Sequence, residues 1–239
     1  MVSRILQASL QVFNVVRPYF IAGVRFLVDL SDRILKLFRK PQLPSVRYRY
    51  LARQIAMELV DVERARVLLF SSCESFEDSN DIVLMFAHFL HDELESRVLV
   101  IDGTFRKEAV SSRLELSDRP GFIDLLTGSE ATLEDLVVQT GSPGVMLLPV
   151  GQREEDRRYG AISRDAIVAL LEQTHEQFDY VLIQQGPIVL DSRYMLFTRF
   201  SDLVLWHIGE GSTRQEAYEE CHRTFRDHGV ENTRLILSD

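Results

Sequence analysis

Short, continuous runs of apolar residues alternate with amphipathic helical segments, and this order constrains the fold more than any other feature. The predicted strands are Arg66–Ser72, Val98–Ile101, Val145–Pro149, Tyr180–Ile183, Leu203–Ile208 and Arg234–Leu237. The predicted helices are 80–95, Phe122–Leu126, Leu133–Val138, Ile162–Gln177 and Thr213–Asp227. Strands without polar alternation are buried on both faces, which is typical of a parallel sheet. We therefore predict an α/β fold, a three-layer, mostly parallel sheet with helices on both faces, in which ligands bind beyond the carboxyl ends of the strands.

Residues 1–40 differ from the rest of the chain in charge. They carry seven Lys or Arg and two Asp, a net charge of +5, whereas all 239 residues together have a net charge of −9. Apolar residues recur there at spacings of three and four, at Phe20, Val24, Leu27, Leu30, Ile34 and Leu37. This period predicts an amphipathic helix. We divide the chain into a helical extension over 1–40, for docking on a membrane or a partner, and a domain over 41–239.

Three interpretations of this extension stay open. It packs on its own domain, it docks into a groove of a partner protein, or it lies in a membrane interface. No uncharged apolar run approaches the roughly 20 residues of a membrane-spanning helix, and no cleavage site for a secretory signal follows an apolar core. The acidic net charge argues against general nucleic-acid binding. Two cysteines, Cys73 and Cys221, are too few for a disulfide scaffold and suit a reducing compartment.

Four stretches, in this order and at this spacing, resemble one known family. They are SSCESFEDSND (71–81), RVLVIDGTFRK (97–107), GFIDLLTGSEATLEDLV (121–137) with GVMLLPVG (144–151), and FDYVLIQQGPIVLDS (178–192). Together they are similar to the cytoplasmic domain of the bacterial tyrosine autokinases (BY-kinases) of capsule and exopolysaccharide export, within the MinD/ParA-type deviant-Walker P-loop superfamily. The resemblance implies a P-loop NTPase-like fold and a cytoplasmic location at the inner membrane. It also implies a polysaccharide synthase or co-polymerase as partner, and it leaves a homo- or hetero-oligomer open.

The stretch 71–81 stands where the resemblance implies a phosphate-binding loop. Its altered positions are Phe76, Glu77, Asp78, Ser79, Asn80 and Asp81. The resemblance puts Phe76 and Asp78 at glycine positions, Ser79 at the lysine and Asn80 at the metal-binding hydroxyl. A phosphate loop needs backbone N–H groups that approach closely, a lysine and a hydroxyl. Acidic side chains repel phosphate oxygens instead.

The resemblance also assigns the metal positions. Asp102 matches the first aspartate of the second Walker motif, Thr104 replaces its second aspartate, and Gln184 replaces the aspartate of the third motif. An amide is a weaker Mg²⁺ ligand than a carboxylate. We therefore expect no enzymatic activity, no ATP or Mg²⁺ cofactor and no metal site.

The function expected from these features is that of a pseudokinase or pseudo-ATPase. It would act as a scaffold or regulator of a membrane-associated complex that makes or exports an exopolysaccharide, such as capsule, cellulose or holdfast-like material. Two alternatives stay open. One is a divergent ATP-dependent tyrosine kinase of polysaccharide export, and the other is a MinD/ParA-like positioning factor of a pilus or secretion system.

Several further side chains carry no chemistry in this interpretation. His88 and His91 are expected on a solvated helix face, and Cys221 is expected as a packed free cysteine. Arg49 and Arg53 belong to a basic strip that is expected to be a solvated helix face. Of the oligomerisation motif that the resemblance implies, only Arg49 is kept, which puts a kinase-type ring assembly in doubt.

Overall fold

A computed structural model describes residues 45–61, 63–74, 77–104, 110–151, 162–190, 192–209, 211 and 213–238. The predicted amphipathic helix over 1–40 lies outside these residues, as does Phe76, so the interpretations of both stay predictions. Seven strands form one sheet. They are β1 (Arg66–Ser72), β2 (Val98–Asp102), β3 (Val138–Gln139), β4 (Val145–Leu148), β5 (Tyr180–Gln184), β6 (Leu203–Gly209) and β7 (Thr233–Ser238).

Helices connect these strands. They are α1 (Ser45–Glu58), α2 (Glu77–Leu94), α3 (Val110–Arg113), α4 (Phe122–Leu126), α5 (Leu133–Leu136), α6 (Arg164–His175) and α7 (Gln215–Asp227), with 3-10 segments at Ile188–Leu190 and Ser192–Phe200. The strand order is β3-β4-β2-β5-β1-β6-β7. Every pairing is parallel except that of β3 with β4. The predicted α/β class, with a mostly parallel sheet, is therefore confirmed.

The two faces of the sheet bury different helices. On one face, alternate residues of β1 such as Val67 and Leu69 belong to a core cluster with Leu170 of α6 and Phe225 of α7. On the other face, Phe70 meets Phe86 of α2 edge to face, with ring centroids 5.2 Å apart. This burial on both faces explains why the strands are apolar throughout instead of alternating.

Helix α1 packs on α2, and the burial of α2 corrects one prediction. Arg49 lies over the ring of Phe89 at 5.5 Å and, like Arg53, pairs with Glu93. His88 is only 7% exposed and does not lie on a solvated face. His91 is half-buried and its Nδ1 lies 3.1 Å from the Ser96 carbonyl oxygen. The sequence period of α2 alone could not show that a second helix packs on it.

Two boundaries also differ from the predictions. Helix α2 begins at Glu77, three residues before the predicted start at 80, so the acidic residues that follow the loop are already helical. The predicted helix Leu133–Val138 ends at Leu136, because Val137 is extended and Val138 pairs with Leu147 as the antiparallel edge strand β3. Two consecutive β-branched residues favour a strand over another helical turn.

Candidate functional site at the carboxyl edge of the sheet

Three polar side chains lie near the carboxyl ends of the central strands. In the sheet register, Gln184 of β5 lies opposite Asp102 of β2 on one side and Phe70 of β1 on the other. Ser72 follows Phe70 by two residues, so all three polar residues lie on the face that α2 covers. Ser72 is 2% exposed, and Asp102 and Gln184 are fully buried. The predicted metal positions are therefore brought together, beside the start of α2.

The Asp102 carboxylate accepts four hydrogen bonds from the protein. Its Oδ1 accepts from the backbone N–H of Thr104 at 3.1 Å and from the Thr104 hydroxyl at 2.5 Å. Its Oδ2 accepts from the backbone N–H of Ser111 at 2.6 Å and from the Ser111 hydroxyl at 2.5 Å. A buried carboxylate is stable only when its oxygens are satisfied in this way. Asp102 thus fastens the segment after β2 and the start of α3 to the sheet.

Ser111 extends this network to the next strand. Its hydroxyl oxygen accepts a hydrogen bond from the backbone N–H of Val150, just after β4, at 2.9 Å. Ser111 carries no signal in the sequence, because the connection between it and Asp102 has no regular period and only the folded chain brings the two residues together. Thr104, which the resemblance marks as an altered metal position, donates a hydrogen bond to Asp102.

Helix α4 is held against the same loop. The backbone N–H groups of Phe122 and Ile123 donate to the carbonyl oxygens of Pro149 and Val150 at 2.8 and 3.0 Å. A Cβ atom at Gly121 would come within 2.2 Å of the Pro149 carbonyl oxygen, so only glycine permits this approach. The two parts of the third resembling stretch, 121–137 and 144–151, therefore pack together beside the carboxyl edge of the sheet.

The end of β5 carries two buried amides. The Gln184 side chain donates to the Gln185 carbonyl oxygen at 3.2 Å, and the Gln184 carbonyl oxygen accepts from the Gly103 backbone N–H at 2.7 Å. Gln185 is fully buried, and neither its amide nitrogen nor its amide oxygen has a hydrogen-bond partner within the part of the chain that the structure describes. Such a group is costly to bury and marks a place where a polar ligand or water would be stabilised.

The segment after β1 is tied to α7 by an ion pair. Glu74 accepts from the backbone N–H of Arg214 at 2.7 Å and from its guanidinium at 2.5 Å. These hydrogen bonds, the backbone one first, lower the pKa of the Glu74 carboxyl. The backbone of Glu77–Asp81 forms the first residues of α2, and their side chains are not described. Their predicted effect on phosphate binding stays a prediction.

The resemblance implies ATP and Mg²⁺ at this edge, and two features of the chain there differ from the usual site for them; the expectation that neither binds stays a prediction. The four acceptor positions of Asp102 are occupied by protein donors, and a neutral amide, Gln184, stands beside it. The sequence 74–81 contains carboxylates and neither lysine nor arginine. A magnesium triphosphate needs carboxylate ligands and cationic partners for its phosphates.

No group of three or more His, Cys, Asp and Glu side chains that could hold a metal ion occurs among the described residues. No helix in the described ranges is long and apolar enough to cross a membrane.

The comparisons with known proteins confirm the resemblance. No protein-family model matches the chain. A tyrosine-protein kinase, ptk of Acinetobacter johnsonii, is 26% identical over 145 residues, which are 61% of this chain and 20% of the relative. The match thus spans about a fifth of the relative's own length.

Solved kinase domains share the fold. The VpsO kinase domain is 23% identical with a TM-score of 0.68, covering 82% of this chain and 96% of its own. The kinase domain of the Escherichia coli tyrosine kinase ETK is 18% identical with a TM-score of 0.71, covering 86% and 79%. A ParA family ATPase from Chlorobium tepidum has a lower TM-score of 0.55 at 16% identity, covering 73% and 74%. The predicted P-loop NTPase-like architecture is confirmed, and the kinase domains are the better structural match.

These comparisons contradict one expectation. The prediction that the chain is not an enzyme conflicts with the sequence relative and with the solved structures, which are named as tyrosine kinases or kinase domains. That prediction rested on the residue types of one loop and three metal positions. The strand ends that support such a site, including the buried Asp102, are all present.

Proposed function

We propose that this chain is a tyrosine-kinase-type domain that acts in the synthesis or export of an extracellular polysaccharide. The observation that carries the proposal is the placement of Asp102. It stands at the end of β2, opposite Gln184 and on the face that α2 covers, where the resemblance implies the first Walker aspartate of the kinases. The sequence match to a tyrosine-protein kinase supports the same class.

The hydrogen bonds at the carboxyl edge of the sheet determine whether Asp102 can contact a ligand. Asp102 positions Thr104 and Ser111 and thereby shapes the connection that leaves β2. A carboxylate with four protein donors is not free to take another ligand, so contact between Asp102 and a metal ion requires one of these hydrogen bonds to open. A pseudokinase is expected to bind neither ATP nor Mg²⁺, whereas an active kinase must bind both. A measurement of nucleotide binding therefore distinguishes these two functions.

A phosphorylation assay with matched variants tests the proposal. The purified chain is incubated with ATP and Mg²⁺, and phosphotyrosine is measured by mass spectrometry on the chain and on a tyrosine-containing peptide. We expect phosphotyrosine with the wild type and a strong loss with Asp102→Asn. The control Asp135→Asn changes an exposed carboxylate that caps α5 through Thr132, away from the site, and should keep the activity.

Two results decide the test. Absence of phosphotyrosine from a wild-type protein with native circular dichroism would contradict the proposal. Equal activity of the wild type and a folded Asp102→Asn variant would contradict the role of Asp102.

We also propose that residues 1–40 attach the domain to the cytoplasmic side of the inner membrane, on a polysaccharide synthase or co-polymerase. The basic charge and the apolar period of this segment support the proposal. Deleting 1–40 should move the protein to the soluble fraction and lower polymer output. Leu30→Glu, in the apolar stripe, should have the same effect, whereas Asp29→Glu, on the polar side, should not. Unchanged fractionation and polymer output after the deletion would refute the docking role.

A further inference from the structure

Strand β7 forms one edge of the sheet, and no strand of the described residues lies on its outer side. It has six residues, Thr233–Ser238, and pairs in parallel with β6 on its inner side. The opposite edge differs, because β3 has only two residues and runs antiparallel to β4. Very short edge strands are one way in which proteins prevent a sheet from adding strands. Of the two edges that the structure describes, β7 is therefore the one long enough to pair with another strand.

The backbone of β7 directs hydrogen-bonding groups to this outer side. The Asn232 carbonyl oxygen accepts from the Val204 N–H of β6 at 2.8 Å, so residue 232 faces β6. Successive residues of a strand direct their N–H and C=O groups to opposite sides, and Leu235 and Leu237 therefore direct theirs away from β6. These are the groups that an added strand would use.

Apolar side chains flank the same edge. Leu235 is 38% exposed and Leu237 is 63% exposed. Leu235 lies opposite Trp206 of β6 in the sheet register, and the Trp206 ring stacks on Tyr218 of α7, so both leucines lie on the α7 face of the sheet. Tyr218 is itself 36% exposed. Exposed apolar side chains that lie on one side of a sheet in this way mark an interaction surface.

The charges of β7 do not oppose the approach of an identical strand. Arg234 is the single charged residue of β7, and its guanidinium pairs with Glu58 at the end of α1 at 3.1 Å. Natural proteins often place unpaired lysines or inward-pointing charges on an edge strand to block such pairing. The whole chain has a net charge of −9, but a second copy that approaches through β7 meets leucines and backbone groups. The β7 edge is therefore complementary to itself.

We propose that the β7 edge binds the β7 edge of a second copy of this chain, by antiparallel strand pairing across a two-fold axis. Such an axis, perpendicular to the sheet, brings the same edge of both copies together and makes the two strands antiparallel. Ile236 lies on the axis, because this register places Leu235 opposite Leu237 of the second copy. Each of these opposed pairs exchanges both of its N–H···O=C bonds and packs leucine against leucine. This inference goes beyond the proposed function and does not depend on it.

The size of the contact sets the expected behaviour of the dimer. A standard protein interface involves about 20–30 residues on each side, whereas β7 offers six, with Tyr218 beside them. We therefore expect a reversible dimer that dissociates on dilution. The assembly should stop at two chains, because β3 is too short to continue the pairing at the other edge.

The molar mass of the full chain, measured by analytical ultracentrifugation at increasing protein concentration, tests this interface. We expect the mass to rise from one chain to two and no further. Leu237→Lys places a charge opposite Leu235 and should raise the dissociation constant about tenfold or more. The matched control is Leu94→Lys, which changes an exposed leucine beside Tyr180 of β5, a strand that β1 and β6 separate from β7. This control should leave the dissociation constant unchanged.

Cysteine cross-linking under mild oxidation tests the register. A mixture of Leu235→Cys and Leu237→Cys chains should form disulfide-linked pairs with one chain of each kind, because opposed residues of a hydrogen-bonded antiparallel pair have Cα atoms about 5.5 Å apart. Each variant alone should form far fewer linked pairs. A chain that stays monomeric at every concentration would overturn the proposal and leave the edge to a strand of a different protein. A dimer that Leu237→Lys does not weaken, assemblies larger than two chains, or equal cross-linking of the separate variants would also overturn it.

Discussion

Removing the Ser111 hydroxyl should destabilise the domain more than a Ser→Ala substitution at an exposed helix cap. Ser111→Ala removes a hydrogen bond to the buried Asp102 carboxylate and leaves the backbone N–H of Val150 without its acceptor. A hydrogen bond to a charged group contributes about 1.5–3 kcal/mol, and a buried unsatisfied N–H costs about 1–3 kcal/mol. Since Asp102 keeps its other three donors, we expect a loss of about 3 kcal/mol in the free energy of unfolding.

Urea unfolding followed by circular dichroism measures this loss, with Ser163→Ala as the matched control. Ser163 caps α6 at an exposed position, where its hydroxyl oxygen accepts from the Ala166 backbone N–H at 3.1 Å. Loss of such a cap costs about 1 kcal/mol. A Ser111→Ala variant no less stable than Ser163→Ala would refute the role that we give to the Asp102 network.

Three further predictions concern packing and charge. Gly121→Ala should cost several times more stability than Gly128→Ala in urea titrations, because its Cβ would strike a backbone carbonyl, whereas Gly128 has open space and only its φ of +92° to strain. Tyr218→Ala should cost about 1 kcal/mol and alter the fluorescence of Trp206, the single tryptophan, whose ring stacks on Tyr218 at 5.4 Å. Because the pKa of Glu74 is lowered in the folded state, its contribution to stability is present above the pKa of the unfolded chain and is lost as the pH falls through the folded value. Glu74→Gln should therefore weaken the acid dependence of the urea midpoint, and an unchanged slope would contradict this.

Most of the architecture could be predicted from the sequence because its signals are local. The apolar runs that form β1 and β5 are buried on both faces, so their composition alone distinguishes them from exposed segments. The errors arose where a neighbour decides the outcome. His88 is buried in the folded domain, and Val138 is a strand residue because it pairs with Leu147. Neither outcome can be read from the period of a single segment.

The position of the candidate site could be predicted from the sequence, but the contacts among its residues could not. The strand ends at Asp102 and Gln184 follow from the parallel sheet, and the structure places them side by side. The contacts of Ser111 with Val150 and of Glu74 with Arg214 join segments far apart in the sequence. Such contacts leave no pattern in a single chain, since any serine or glutamate of the right reach could make them.

Calorimetric titration of ATP into the full chain, with and without Mg²⁺, tests the central claim most directly. A kinase-type domain predicts saturable binding that strengthens with Mg²⁺ and weakens in Asp102→Asn. Absence of binding to a protein that unfolds cooperatively in urea would contradict the claim.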